Sequence, residues 1–234
     1  MQRWEKVSDW RQSNQPGPDD YSYAAGFLLA GGKSSRMGTD KALVNLGARP
    51  LIAHAVEILR EAGLAASIAG GDSALAGFAP LIEDRSVSLG PLSGIVTALA
   101  SASSQWAVLI PVDLPLLPAS LLVSMLRHSK IKGSVVTLAS VNGFTQTFPA
   151  VVGKEALPIL ERELAAGRGG CFSAFQAAAA GAGQSVNQLP VESLVQCGHA
   201  AHPQALPAAY WFLNVNTPEN LRRAEILSAQ ALIA

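Results

Sequence analysis

A short stretch near the start of the chain concentrates positive charge behind two glycines. Ala24–Ala30 is apolar at nearly every position, Gly31-Gly32 comes next, and Lys33, Arg36 and Lys41 follow within nine residues. Glycine has no Cβ, so the backbone there can approach a flat base or a phosphate closely. Cations at such a turn neutralise phosphate oxygens. The stretch therefore predicts a polyphosphate ligand, in preference to an ordinary solvated turn.

This turn comes close to two known phosphate-binding patterns and fits neither. A Walker A loop needs G-x-x-x-x-G-K-[ST]. Gly32-Lys33-Ser34 matches its end, but Phe27 stands where the first glycine belongs. A G-x-G-x-x-G dinucleotide pattern is absent as well, while Ser34 and Ser35 add hydroxyl donors. We expect a phosphate-binding turn of another kind.

Two aspartates stand at the ends of apolar runs further along the chain. Asp84 follows Leu81–Ile82, and Asp113 follows Trp106–Val112. A triphosphate needs Mg²⁺, which prefers oxygen ligands and usually takes only one or two carboxylates. Each aspartate could instead cap a helix or form a turn. For Asp113 we favour the metal-binding interpretation.

Two asparagines near the C-terminus are the remaining candidates. Asn214 and Asn216 lie two apart in a segment predicted to be extended, so their side chains should point the same way. Thr217 and Pro218 explain the start of the last helix without a ligand. The asparagine pair is not explained by capping, and it predicts amide contacts to one ligand.

The elements that must position these residues follow from the hydrophobic periodicity. Apolar runs of four to six residues alternate with segments of helical period. Strands are predicted at Ala24–Ala30, Ala65–Ala69, Leu81–Ile82, Trp106–Val112, Ser134–Ala139, Ala150–Val152, 185–189 and 212–215. Helices are predicted from Pro50 to Gly63, at Pro91–Ala102, from Pro118, at 155–166, at 171–180 and from Pro218. An Asn142-Gly143 pair predicts a hairpin turn.

This alternation predicts an α/β fold with a mostly parallel sheet. Ligands of such sheets bind beyond the carboxyl ends of the strands. This rule predicts ligand binding at four places: the loop after Ala30, the regions of Asp84 and Asp113, and the turn after Val215. All the candidate residues above fall in these four places. We therefore expect them to form one site.

Composition excludes several classes of protein. The 234 residues suit one domain, with 49% hydrophobic and 15% charged residues. A net charge of zero disfavours nucleic-acid and anionic-membrane partners. The N-terminus lacks a signal peptide's apolar core, no apolar run reaches ~20 residues, and Cys171 and Cys197 are interpreted as free thiols, so we expect a cytoplasmic protein. Residues 1–22 are interpreted as an N-terminal extension and residues 23–234 as the main domain.

Four motifs together carry a resemblance to a known family. L-A-G-G-x-x-x-R-M-G-x-D-K resembles the signature of nucleotidyltransferases, and most closely that of the molybdenum cofactor guanylyltransferases. IEDRSVSLGPLSGI, LIPVDLPLLP and FLNVNTPENL, at residues 82–95, 109–118 and 212–221, match further motifs of that family in its order. The resemblance implies a three-layer α/β/α, Rossmann-like nucleotidyltransferase fold. It implies transfer of GMP from Mg-GTP to the terminal phosphate of molybdopterin, with release of pyrophosphate.

The same resemblance assigns roles to individual residues. Nucleotide contacts are implied for Leu29, Ala30, Gly31, Gly32, Ser34, Arg36, Lys41, Asp84 and Asp113. Among these, Arg36, Lys41 and Asp113 are the implied catalytic residues, and Asp113 the implied Mg²⁺ ligand. Acceptor contacts are implied for Asn214 and Asn216, and Arg168 is added as one cation in a glycine-rich loop. Contacts with molybdoenzymes or other proteins of cofactor biosynthesis are a further expectation.

The sequence departs from the family on the acceptor side. Gly70-Gly71 stands where some members have an asparagine, and Phe148 precedes the proline of a polar segment near the acceptor. Alternatives therefore stay open: a cytidylyltransferase, a sugar-phosphate nucleotidyltransferase, or a non-catalytic molybdopterin carrier. Cys197, His199 and His202 have a metal-like spacing but lack a fourth ligand nearby, so a surface loop is expected there.

Overall fold

The structure, a computed structural model, describes residues 21–30, 40–83 and 90–230. Its main sheet is built from β1 (Ala24–Leu29), β4 (Ala66–Ala69), β5 (Leu81–Ile82), β6 (Trp106–Pro111), β7 (Val136–Val141), β8 (Phe144–Gly153) and β9 (Asn187–Pro190). These strands lie in the order β5-β4-β1-β6-β8-β7-β9. Within the described residues, each pairing in this sheet is parallel except the two that β8 makes. Two short strands, β2 (Asn45–Leu46) and β3 (Arg49–Pro50), form a separate antiparallel hairpin.

Helices cover both faces of the main sheet. They are α1 (Leu51–Glu61), α2 (Pro91–Ser101), α3 (Ala119–Lys132), α4 (Leu157–Ala165), α5 (Cys171–Gly181), α6 (Val191–Gln196), α7 (Ala208–Trp211) and α8 (Pro218–Gln230). Residues of α1, α3 and α6 share one core cluster with the sheet, and residues of α2, α4 and α5 share another. The predicted three-layer α/β/α architecture with a mostly parallel sheet is confirmed.

The first strand shows why a strand of a parallel sheet is a continuous apolar run. Leu28 belongs to the core on one face, while Phe27 and Leu29 belong to the core on the other. All three are at most 6% exposed. Because helices cover both faces, every side chain of such a strand must be apolar.

Most predicted elements are confirmed with ends shifted by a few residues, including the hairpin between β7 and β8. Asn142 and Gly143 have φ angles of 51° and 79°, the left-handed values that a two-residue hairpin turn needs. Short helices α6 and α7 were not predicted.

The predicted strand at 212–215 is wrong. The chain there is irregular after α7, because its backbone groups bond locally and to another loop. The Asn216 N–H donates to the Asn214 carbonyl at 3.1 Å, and the Val215 N–H donates to the Asp113 carbonyl at 2.9 Å. This segment therefore adds no strand to the main sheet.

The predicted N-terminal extension lies almost wholly outside the described residues and stays a prediction. Tyr21, the first residue described, is 5% exposed and packs in the core. Among the residues described, none of the helices has the length and apolarity to span a bilayer.

Candidate active site

The Lys41 side chain is the centre of a polar cluster at the carboxyl end of β6. Its Nζ donates to Asp113 Oδ2 at 2.5 Å and to Asn216 Oδ1, and it lies 3.5 Å from Asn214 Oδ1. Lys41 and Asn216 are 175 positions apart in the chain. The structure therefore brings together four of the predicted site residues from three distant segments.

The end of β6 fixes the position of Asp113. Leu29 of β1 pairs with Pro111 of β6, so the two strands end side by side. Asp113 follows two residues later, between Val112 and Leu114, which are 7% and 6% exposed. Because these neighbours are packed in the core, the Asp113 backbone has little freedom to move. Its side chain, 16% exposed, faces Lys41.

Lys41 is held by a capped turn. It begins a 3₁₀ turn over Lys41–Leu43, and the Asp40 side chain accepts a hydrogen bond from the Ala42 N–H at 3.0 Å. Ala42 is 1% exposed and packs in the core. No role was predicted for Asp40 from the sequence, although an aspartate just before a helical turn is a common capping signal.

The two asparagines reach Lys41 because Val215 between them is buried. Val215 is fully buried in a cluster with Leu51 and Leu116, and its N–H donates to the Asp113 carbonyl. With Val215 turned into the core, Asn214 and Asn216 both present amide oxygens to Lys41. The predicted common direction of their side chains is thus observed, although the segment is not a strand.

Asn220 ties this segment to the last helix. Its side-chain Nδ2 donates to the Asn214 carbonyl at 2.9 Å, and its N–H donates to Thr217 Oγ1 at 3.2 Å. The second bond is the cap predicted for Thr217. Asn220 was not predicted as a supporting residue, because its contact with Asn214 depends on how the chain enters α8.

The end of β1 forms the neighbouring side of the candidate site. Leu29 is 6% exposed and its side chain packs in the core, so a ligand contact through that side chain is excluded. Ala30 follows it at the strand end and is half-buried. Gly71, with a φ of 98°, lies against Ala30, and an added Cβ would come within 3.2 Å of the Ala30 Cβ and 2.8 Å of a Leu75 methyl group. Glycine is therefore required where β4 leaves the sheet beside β1.

Other predicted nucleotide contacts lie outside the described residues, namely Gly31, Gly32, Ser34, Arg36 and Asp84. Their roles stay predictions.

Arg168 lies in the loop between α4 and α5 and is held by Glu163 of α4. Its guanidinium donates to both carboxylate oxygens of Glu163, at 2.6 and 2.8 Å, and its side chain is 60% exposed. This hydrogen-bonded pair lowers the pKa of Glu163 and raises the pKa of Arg168. Among the described residues, no hydrogen bond joins Arg168 to the Lys41 cluster, and its acceptor role stays a prediction.

The loop with Cys197, His199 and His202 forms no metal centre. Across residues 21–30, 40–83 and 90–230, no group of three or more His, Cys, Asp or Glu residues is placed to hold a metal ion. Cys197 and His199 are exposed, whereas His202 packs against Trp211 with the ring centroids 6.3 Å apart. His54 is also structural, because its Nε2 lies 3.1 Å from the Leu46 carbonyl.

His202 predicts a pH dependence of stability. Burial lowers the pKa of His202 from 6.5, and a hydrogen bond with the Leu116 backbone opposes this shift only in part. The folded state therefore favours the neutral ring. Its contribution to the free energy of unfolding is complete above the unfolded pKa and is lost as pH falls below it toward the lower, folded pKa.

Thermal unfolding should detect this effect. The His202→Gln variant is expected to lose less stability than the wild type between about pH 7 and about pH 5. His199→Gln, a change at an exposed histidine of the same loop, should keep the wild-type slope. Equal slopes for all three proteins would contradict the assignment to His202.

The donor set of the Lys41 cluster suits a hard cation. It offers one carboxylate and two amide oxygens, which are ligands typical of Mg²⁺ and Mn²⁺. Asp113 Oδ1 is also buried, and it has no hydrogen-bond partner among the described residues. A buried carboxylate oxygen without a partner is costly unless a cation or donor joins it. Asp113 therefore fits the metal role predicted for it.

Comparisons with known proteins point to one family. The family described as MobA-like NTP transferase domain matches residues 26–183. A molybdenum cofactor guanylyltransferase of Pseudomonas entomophila strain L48 is 32% identical over 200 residues, covering 83% of this chain and 94% of that protein.

Solved structures agree on the fold. Molybdopterin-guanine dinucleotide biosynthesis protein A from Archaeoglobus fulgidus has a TM-score of 0.70 at 22% identity, covering 88% of this chain and 99% of that one. The 2-C-methyl-D-erythritol 4-phosphate cytidylyltransferase from Thermus thermophilus has a TM-score of 0.58 at 16% identity, covering 88% and 99%. Because the second of these uses another base, the fold alone does not select the nucleotide.

Proposed function

The chain belongs to the MobA-like NTP transferase family, and on this premise we propose that it transfers GMP from GTP to the terminal phosphate of molybdopterin. The products are the guanine dinucleotide form of the cofactor and pyrophosphate. The observation that carries the proposal is the convergence of Lys41, Asp113, Asn214 and Asn216 on one point at the carboxyl end of the sheet. The similarity to guanylyltransferases along most of both chains supports GTP as the donor.

The reaction forms one P–O bond and breaks another. An oxygen of the molybdopterin phosphate attacks the α-phosphorus of GTP, and the bond from that phosphorus to the β-phosphate oxygen breaks, so that the bonding electrons leave with pyrophosphate. A phosphate monoester is largely ionised at pH 7, because its second pKa is about 6. No general base is therefore required, and the protein's contribution is alignment and neutralisation of charge.

We assign the neutralisation to Lys41 and Arg36 and to a metal ion that Asp113 would hold. Lys41, together with Arg36, would hold the phosphates and stabilise the departing pyrophosphate. Asp113 would hold a divalent metal ion, which we take to be Mg²⁺ and which supplies further positive charge at the phosphate oxygens when bound. Gly31, Gly32, Ser34 and the backbone at Leu29 and Ala30 would contact the nucleotide, as would Asp84.

The acceptor side is assigned to Asn214 and Asn216. Both amide groups lie at the edge of the cluster, and Asn216 is exposed, so a second substrate can reach it. The Val215 bond to Asp113 couples this segment to the donor side. We place the activity in the cytoplasm, where Cys171 and Cys197 would remain free thiols as they are in the structure.

Pyrophosphate release tests the proposal. The purified protein is incubated with molybdopterin, Mg²⁺ and each of the four nucleoside triphosphates in turn. We expect release with GTP and only background with the other three. Fastest release with CTP would identify a cytidylyltransferase instead. Binding of GTP without pyrophosphate release would indicate a carrier, and release with a sugar phosphate in place of molybdopterin would indicate a sugar-phosphate nucleotidyltransferase.

Asn220 should influence the acceptor more than the donor. In Asn220→Asp the side chain keeps its size, and a carboxylate in the first turn of α8 suits the helix N-terminus. It can no longer donate to the Asn214 carbonyl, however, and the segment carrying Asn214 and Asn216 should loosen. One lost hydrogen bond predicts a KM for molybdopterin raised about tenfold, with the KM for GTP unchanged.

Steady-state kinetics in which molybdopterin and GTP are varied separately measure the two KM values. The control is Glu219→Gln, a change at an exposed residue of the same helical turn, which should alter neither KM. Equal changes in both KM values for Asn220→Asp would show that Asn220 acts only on general stability.

A further inference from the structure

We propose that, before the nucleotide binds, the Lys41 ammonium occupies the position that the oxygens of the site form for a divalent cation. Metal would then bind well only together with the triphosphate. The inference rests on the proposed function, because it takes the triphosphate as the ligand that draws Lys41 away.

The arrangement of oxygens around Lys41 Nζ is the first argument. One carboxylate oxygen at 2.5 Å and the amide oxygens of Asn216 and Asn214 face this nitrogen from three chain segments. The ammonium thus stands where hard oxygen donors converge, which is also where a divalent ion would find ligands.

Charge is the second argument. Lys41 and Asp113 form an ion pair in which each side chain is only 16% exposed, so solvent and salt screen the pair weakly. The ammonium compensates the one carboxylate that contacts it among the described residues, and this neutral pair attracts a further cation poorly. A triphosphate changes the balance, since it offers Lys41 several negative oxygens and supplies other oxygens to the metal.

Local structure shows which part of Lys41 can move. Its backbone is fixed by the Asp40 cap and by buried Ala42, so the turn itself stays in place. The side chain has four rotatable bonds and can swing toward a nucleotide without any change in the main chain. The exchange of partners is therefore a side-chain movement.

Binding of Mn²⁺ alone tests the proposal. Free Mn²⁺ is measured by electron paramagnetic resonance during titration of the protein without nucleotide. We expect weak binding to the wild type and to Lys41→Arg, which keeps a positive charge. Lys41→Met and Lys41→Gln remove the charge, and each should bind Mn²⁺ at least about tenfold more tightly, because a competing unit charge is gone.

One further variant, a thermal measurement and one activity assay make the outcome decisive. Adding Asp113→Asn to Lys41→Met should abolish the gain in affinity, and Mn²⁺ should raise the Tm of Lys41→Met more than that of the wild type. Unchanged Mn²⁺ affinity in both neutral variants, with folding confirmed by their thermal transitions, would overturn this inference. GTP-dependent pyrophosphate release by the wild type is followed in parallel. If release occurs while the metal affinities do not change, the proposed function stands without the inference.

Discussion

Replacing Asp113 by asparagine is expected to lower the kcat of GMP transfer by at least about a hundredfold. Asparagine has nearly the same shape, so the packing of Val112 and Leu114 and the backbone bond from Val215 should persist. What is lost is the negative charge that faces Lys41 at 2.5 Å and that would hold the metal. A factor of one hundred corresponds to about 2.7 kcal/mol of transition-state stabilisation.

Steady-state pyrophosphate release and thermal unfolding together measure this effect. Asp72→Asn is the matched control, because Asp72 is an exposed aspartate that caps the turn at Ser73–Gly77 after β4. It should keep the wild-type kcat. Asp113→Asn should unfold at a temperature close to that of the wild type, which separates loss of chemistry from loss of structure. Near-normal turnover in Asp113→Asn would remove Asp113 from the catalytic residues.

The proximity of Lys41, Asp113 and the two asparagines could be predicted because it depends on two simple features. These are the apolar runs that form buried strands and the parallel order that brings the strand ends to one edge. Buried runs such as Ala24–Ala30 can only be strands covered on both faces, and parallel strands place their carboxyl ends at one edge. Asp113 had to lie at that edge once Trp106–Val112 was identified as a strand. The register of Leu29 with Pro111 confirms how close the two strand ends are.

The error at 212–215 shows where such reasoning stops. An alternation of polar and apolar residues around Val215 predicts a strand, yet the same alternation serves an irregular segment that buries one side chain. The choice between the two depends on the Val215 N–H, which bonds to Asp113 in a distant part of the chain. The residues around Val215 therefore do not indicate, by their own pattern, that Asp113 is its partner.

Supporting residues were missed for a related reason. The side chains of Asp40 and Asn220 bond to backbone groups, and their importance depends on which site residues those backbone segments position. Gly71 is required because β4 leaves the sheet against Ala30, a contact set by strand order. Arg168 shows the opposite limitation, since this cation of a glycine-rich loop bonds to a carboxylate on the preceding helix, which the loop pattern does not indicate.

Lys41→Ala is expected to lower kcat by about a hundredfold as well, because the variant loses a cation that we assign to the reacting phosphates. The cause of the loss differs from that in Asp113→Asn, because Lys41 is assigned, together with Arg36, to stabilise the departing pyrophosphate. Lys132→Ala is the control, because this exposed lysine at the end of α3 bonds to Asn187 and should not affect kcat. Wild-type turnover in Lys41→Ala would show that other groups neutralise the charge of the departing pyrophosphate.

The double variant gives the sharper test of the pair. Lys41 and Asp113 are in direct contact, and residues that act as one unit are not additive when both are removed. If each acted alone, combining two hundredfold losses would predict about a ten-thousandfold loss. We expect Lys41→Ala with Asp113→Asn to lose far less than this, with kcat within about tenfold of either single variant. Full additivity would mean that the two side chains serve separate steps, and that their contact in the structure has no part in catalysis.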